Sequence, residues 1–281
     1  MAVKNIIELS NPNYVPVIKD SKTFYGGSQM WFSADKWNST DYILHNYGCG
    51  TIATADMFLY LALQNEALKS PETEIAMKSG SIQITYEDYD PYVRAINHAY
   101  TKTHRFIAVL GTRIASAVNT YSNFYGFGYQ ASWKFKLTYY DMLEMMEDML
   151  SQDIPAILSI GPNTPKLWGK KGIPFYEYRE IDYREGSTKS SGSDQRPEGN
   201  VPSDVKKPYY YKIAQQNVNS HYVTVTGIIK DEIAGRIMLR ISSWGKQYYI
   251  NYEEYRDYVD STGDTFTSSI LQARKTNQRL L

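Results

Sequence analysis

The sequence predicts an α+β fold in which a helical first half precedes a β-rich second half. Apolar residues recur three and four positions apart at about 50–68, 91–101 and 107–122, which is the spacing of amphipathic helices. Later in the chain, alternating and β-branched stretches such as 221–228 and 236–243 are typical of strands. Helix patterns followed by strand patterns favour an α+β architecture.

The individual elements follow in order along the chain. Residues 1–40 combine short strand-like and turn-like pieces before the first strong helix pattern, and Tyr129–Phe135 is strand-like. Thr138, followed three residues later by an Asp, is close to a capping box and predicts a helix that runs to about residue 150. Residues 154–160 form a short apolar run, which indicates a buried strand.

The second half predicts a hairpin and one long loop. The stretch that begins at His221 and the stretch 236–245, which ends in a turn glycine, are separated by a short polar break. The alternating tyrosines of 247–255 indicate another strand. Residues 186–207 contain almost no apolar side chain, so we expect a mobile insertion loop there within a single domain, 1–281.

Cys49 is the only cysteine of this 281-residue chain and lies between Gly48 and Gly50, directly before the first strong helix pattern. The first turn of a helix stabilises an anion, so this position lowers the expected pKa of the thiol and suits a nucleophile. The flanking glycines leave room for a close approach by substrate. The alternative is a small buried apolar residue, which is a common environment for a free cysteine.

His221 is the histidine whose context best suits a partner for such a thiol. An imidazole on a strand can accept the thiol proton and then return it to a leaving group. His98 and His104 lie in polar, helix-like sequence without this strand context. His45 and Cys49 have the spacing of a metal-binding pair, but further ligands at suitable spacing are missing, so no metal or cofactor is expected.

Together these motifs resemble the C39-like branch of the papain-like cysteine peptidases. The resemblance rests on Gly48-Cys49-Gly50 before an Ala-rich helix, a Pro-containing strand, His221-Tyr-Val-Thr-Val-Thr-Gly227 and Ser242-Ser-Trp-Gly245. It covers roughly residues 40–65 and 138–260. It implies a papain-like fold in which the helix of Cys49 packs on an antiparallel sheet that carries His221.

The resemblance also implies a role for each site residue. Cys49 would be the nucleophile and His221 the general base and acid. The family's imidazole-orienting Asn or Asp corresponds to Ser242, and Trp244 would shield the imidazole from water. The family's oxyanion-hole Gln lies about six residues before the Cys, where this chain has Ile, so Asn46 is the candidate replacement donor.

The implied function is a cysteine peptidase-like thiol hydrolase that cleaves an amide bond of a peptide or protein substrate. Two alternatives remain open, because a fold does not dictate its function. One is a thiol acyltransferase of the same fold, and the other is a catalytically silent peptide-binding protein.

Composition restricts the partners of the chain. Thirty basic and thirty acidic residues give a formal net charge of zero, which argues against nucleic acid as a partner. No apolar run reaches the ~18 residues of a membrane span, and a glutamate interrupts the apolar N-terminal stretch where a signal peptide would continue. A single cysteine cannot form an internal disulfide. These features lead us to expect a cytoplasmic protein.

Overall fold

The computed structural model describes residues 4–80, 83–161, 172–180, 209–232, 234–262 and 269–276. The predicted loop 186–207 lies outside these residues. The helices of the described parts are Thr40–Tyr47 (α1), Cys49–Gln64 (α2), Pro71–Ala76 (α3), Tyr86–Ile96 (α4), Gly111–Tyr125 (α5), Tyr139–Ser151 (α6) and Tyr252–Thr262 (α7). The strands are Lys4–Glu8 (β1), Pro16–Lys19 (β2), Lys22–Tyr25 (β3), Ile84–Thr85 (β4), Tyr129–Lys134 (β5), Ala156–Ile160 (β6), Ile173–Glu180 (β7), Tyr209–Val218 (β8), His221–Asp231 (β9), Arg236–Ser243 (β10), Lys246–Asn251 (β11) and Ile270–Lys275 (β12).

A large antiparallel sheet organises the second half of the chain. Its strands follow the order β5-β12-β6-β9-β10-β11-β7-β8, and β1 also pairs with β9. The small sheet β3-β2-β4 lies in the first half. Helices therefore dominate the first half and a large antiparallel sheet the second, which confirms the predicted α+β class.

The register of the sheet fixes the surroundings of His221. This residue begins β9 and pairs with Ile160 at the end of β6. On the other side, Ser242 near the end of β10 pairs with Thr224. Because β9 and β10 are antiparallel, the turn after β10 lies beside the start of β9. Helix α2 packs against β9.

Local sequence explains where several helices begin. A hydroxyl side chain directly before the helix accepts a backbone N–H three residues on, which satisfies one of the unpaired donors of the first turn. The pairs are Ser39 with Tyr42, Ser70 with Thr73, Thr85 with Asp88 and Thr138 with Asp141. The last pair is the near capping box of the sequence.

Three helices differ from the sequence pattern. The predicted strand over 247–255 ends at Asn251, whose side-chain Oδ1 accepts the backbone N–H groups of Glu253 and Glu254 at 3.0 and 3.3 Å. This cap starts α7, in which Tyr252 and Tyr255 are fully buried on one face three residues apart. The sequence prediction also lacks helices α1 and α3, although Ser39 and Ser70 cap them.

Tyrosines account for much of the interior of the described chain. The largest fully buried side chains include Tyr14, Tyr60, Tyr89, Tyr92, Tyr252 and Tyr255. Except for Tyr14, whose hydroxyl has no hydrogen-bond partner among the described residues, their hydroxyls donate to neighbours, as where Tyr92 donates to the Ala55 carbonyl at 2.6 Å and Tyr255 to the Ser159 carbonyl at 3.0 Å. A buried hydroxyl needs such a partner because its desolvation is otherwise costly. The many tyrosines thus serve packing.

None of the helices in the described ranges is both long enough and apolar enough to cross a bilayer.

Candidate active site

Cys49 is the first residue of α2 and follows directly on α1. Gly48 ends α1 and begins α2, and its backbone passes so close to Leu44 that an added Cβ would lie 2.2 Å from the Leu44 carbonyl oxygen. Only glycine fits at this junction. The close junction of the two helices places the thiol at the N-terminal end of α2, where backbone N–H groups have no partner within the helix.

The structure brings Cys49 and His221 together. Both are largely buried, with 9% and 8% of their surfaces exposed, and both line one cleft between α2 and the sheet. Gln29, Asp56, Ser243 and other residues complete the lining. The packing of α2 on β9 thus brings a cysteine from the first half of the chain and a histidine from the second half to the same cleft.

The imidazole of His221 forms a hydrogen bond with Ser243, not with Ser242. His221 Nε2 lies 2.8 Å from Ser243 Oγ. Ser242 Oγ instead donates to the Tyr25 carbonyl at 2.7 Å and so ties β10 to the end of β3. Both serines line the cleft, but only Ser243 forms a hydrogen bond with the imidazole. The role expected for Ser242 is corrected accordingly.

A two-residue turn holds Trp244 over the imidazole. Ser243 pairs with Lys246, and Trp244 and Gly245 between them have φ of 50° and 74°. Positive φ at both positions is the geometry of tight hairpin turns. It is costly for a bulky side chain, and such strain is found mainly where surrounding structure imposes it. The indole stacks on the His221 ring, with 4.4 Å between centroids and 21° between planes.

Burial decides the protonation of both groups. It raises the pKa of the Cys49 thiol and outweighs the backbone N–H groups of Tyr222 and Gly50, which act in the opposite direction. Burial also lowers the pKa of His221 to about 3. The resting protein therefore holds a neutral thiol beside a neutral imidazole. The lowered thiol pKa expected from the helix start is wrong, because desolvation is the larger effect.

Asn46 does not face the cleft. It lies in the last turn of α1, is exposed, and donates its side-chain amide to the Tyr42 carbonyl at 2.8 Å. The amide of Asn46 is therefore hydrogen-bonded within α1 and does not point into the cleft. This corrects the prediction that Asn46 is an oxyanion-hole donor.

Gln29 is the side-chain amide that does line the cleft. It begins a short 3-10 helix, Gln29–Trp31, which Ser28 caps. Its Nε2 donates to the His45 carbonyl at 2.8 Å, and its Oε1 is buried without a hydrogen-bond partner among the described residues. Sequence reasoning missed Gln29 because it lies twenty residues before Cys49, far outside the expected spacing of about six.

No family model, no curated protein and no solved structure matches this chain significantly. What the site can do must therefore be argued from its own geometry.

Asp56 is a second residue that sequence reasoning missed. It lies two turns after Cys49 on the same face of α2 and lines the cleft while almost fully buried. Its carboxylate accepts the Tyr89 hydroxyl at 2.6 Å and the Gly27 backbone N–H at 2.9 Å. Burial raises the pKa of this carboxyl to about 7. The one signal in the sequence was an acidic residue inside an apolar helix pattern.

Asp56 fixes the segment that leads to Gln29. The Gly27 backbone is held so close to Tyr89 that an added Cβ would lie 1.8 Å from the Tyr89 hydroxyl oxygen. The Asp56 carboxylate accepts a hydrogen bond from each of these two residues, from the Gly27 backbone N–H and from the Tyr89 hydroxyl. Since Gln29 is only two residues further on, the carboxylate sets where the amide side chain meets the cleft.

The neutral thiol predicts slow alkylation of the resting protein. Because only the thiolate reacts, we expect iodoacetamide to label folded Cys49 at pH 7 about tenfold more slowly than the urea-unfolded chain. The labelling profile should be that of a thiol with a pKa above its usual ~8.5. Intact mass reads the result directly, since the chain has one cysteine.

His221→Ala is the control for this experiment. Labelling should not slow in this variant if the pair is neutral at rest. Fast labelling of the wild type near pH 6 that disappears in His221→Ala would instead reveal a thiolate–imidazolium pair and contradict the expectation.

Proposed function

We propose that this protein is a thiol hydrolase of papain-like architecture that cleaves an amide bond of a peptide substrate. The observation that carries the proposal is the cleft in which Cys49, at a helix start, meets a strand histidine bonded to Ser243 and covered by Trp244. A nucleophile, a base and a group that orients the base are the parts that such chemistry requires.

The proposed reaction begins with proton transfer. Ser243 occupies Nε2 of the imidazole, so Nδ1 is the nitrogen that takes the proton from Cys49 as sulfur attacks the substrate carbonyl. The hydroxyl of Ser243 can accept the Nε2–H, which selects the tautomer with a free lone pair on Nδ1. Because the resting pair is neutral, the transfer accompanies the attack.

The tetrahedral intermediate needs hydrogen-bond donors at its oxygen. The backbone N–H of Cys49 lies at a helix start and is available for this, and the Gln29 amide supplies a second donor by turning from the His45 carbonyl. Protonated His221 then gives its proton to the leaving amine, and the carbon–nitrogen bond breaks to leave a thioester on Cys49. Water, deprotonated by His221, hydrolyses the thioester and releases the acid.

Digestion of a peptide library tests the proposal without knowledge of the substrate. We expect new peptide termini, identified by mass spectrometry, with the wild type and none with Cys49→Ala or His221→Ala. Identical digests for the wild type and Cys49→Ala would show a catalytically silent protein. Adding a simple primary amine separates the remaining alternative, because an acyltransferase would join the amine to the new carboxyl termini faster than water reacts.

A further inference from the structure

A set of exposed apolar side chains lies beside the cleft on the loop between residues 104 and 110. Phe106, Ile107 and Leu110 have 71%, 62% and 59% of their surfaces exposed. Trp37, from the segment before α1, is 60% exposed. We call these four residues the apolar rim. Adjacent exposed apolar side chains of this size usually mark a binding surface.

The loop of the rim is attached to the first turn of the Cys49 helix at both of its ends. At one end, the Thr103 hydroxyl bonds to the Thr51 hydroxyl at 2.6 Å. At the other, Val109 packs against Gly50, where an added Cβ would lie 3.2 Å from its side chain. The Phe106 ring also contacts the Tyr47 ring, with 6.2 Å between centroids. The rim is therefore next to the nucleophile.

The loop is rigid rather than loosely held. His104 and Ala108 bond to each other through both backbone N–H groups, at 3.0 and 2.9 Å. Phe106 and Ala108 have φ of 69° and 59°, a left-handed conformation that is strained for non-glycine residues. A surface that is already ordered loses little conformational entropy when a ligand binds.

Arg105 adds a positive charge to this surface. Its guanidinium carbon lies 3.8 Å from the centre of the Trp37 ring and 4.2 Å from that of Phe106. Its Nε is buried without a hydrogen-bond partner in the described parts of the chain. None of the ion pairs formed among the described residues includes Arg105. The cation is thus held between two rings, and no carboxylate of the described ranges forms an ion pair with it.

We propose that the apolar rim and Arg105 bind the substrate polypeptide through an acidic residue next to a large apolar residue. This inference rests on the proposed function and names its substrate class. The carboxylate of the substrate pairs with the guanidinium, which its aromatic neighbours hold in place. The apolar side chain of the substrate covers Phe106 and Ile107, which are otherwise in contact with water.

Calorimetric titration of the full chain carrying Cys49→Ala tests this binding without turnover. The probes are three synthetic peptides with the same Gly/Ser flanks and the central pairs Glu-Leu, Lys-Leu and Glu-Ser. We expect the Glu-Leu peptide to bind about tenfold more tightly than either of the others. Arg105→Glu, introduced on the same background, should reverse the order of the Glu-Leu and Lys-Leu peptides.

Lys102→Glu is the matched control, because it makes the same change of net charge at an exposed residue of the same segment. The proposal is overturned if no peptide binds, if the three peptides bind equally, or if Lys102→Glu has the same effect as Arg105→Glu. Failure of the proposed function is a separate result. In that case the Glu-Leu peptide binds as expected, but the wild-type protein cleaves no member of the peptide library.

Discussion

At pH 9 the Asp56→Asn variant is expected to be more stable than the wild type by about 4 kcal/mol, at pH 5 by only about 1 to 2 kcal/mol, and below about pH 4 the two should be similar. Burial raises the pKa of Asp56 from 3.8 to about 7, a shift of about three pH units. One unit corresponds to about 1.4 kcal/mol between the two protonation states.

The direction follows from proton uptake. Between about pH 4 and pH 7 the folded protein keeps the Asp56 proton and the unfolded chain has lost it, so the folded state binds more protons. The contribution of Asp56 to the free energy of unfolding is therefore fully present below about pH 4 and falls as the pH rises to about 7. Asparagine resembles the protonated carboxyl in shape and charge, so the variant should lack this decline.

Urea unfolding at pH 5 and pH 9 measures both free energies. Asp88→Asn is a suitable control, because hydrogen bonding from Ser79 lowers the pKa of that half-buried carboxyl. Its replacement should give a small effect of the opposite sign. Parallel pH profiles for the wild type and Asp56→Asn would show that Asp56 stays ionised in the folded protein and would contradict the expectation.

The second large effect concerns the two adjacent serines. If Ser243 orients His221, we expect Ser243→Ala to lower kcat for the library-derived substrate by about 100-fold, since a correctly placed general base contributes ~10²–10⁴. Ser243→Thr keeps the hydroxyl and should retain most of the rate. The change should lie in kcat rather than KM, because the serine acts on the imidazole and not on the bound peptide.

Ser242→Ala is the matched control in the same strand. It loses a bond to the Tyr25 carbonyl, so thermal stability should fall modestly while kcat changes little. A larger loss of kcat with Ser242→Ala than with Ser243→Ala, at equal folded fractions, would return the orienting role to Ser242.

Local signals predicted much of the fold. The period of the apolar residues in 50–64, the alternation at the start of β9 and the Thr138 cap are properties of neighbouring residues, and each matches an element of the structure. The strand expected over 247–255 extends four residues into the helix Tyr252–Thr262, because the tyrosine spacing fits both periods over a short window. Only the cap by Asn251 decides between them.

The features of the site also separate into those that local sequence predicts and those that depend on tertiary packing. The sequence by itself determined that one cysteine begins a helix, that one histidine begins a strand, and that Trp-Gly follows in a tight turn. Each of these is a local pattern of chemistry and spacing.

The tertiary structure decided which side chains meet. The antiparallel register of β9 and β10 brings Ser243 rather than Ser242 to the imidazole, and Gln29 and Asp56 join the cleft through backbone contacts at Gly27. Burial, which no single segment reveals, reverses the expected pKa shift of Cys49. Desolvation and long-range pairing depend on the whole packed chain, so neighbouring residues alone could not have shown them.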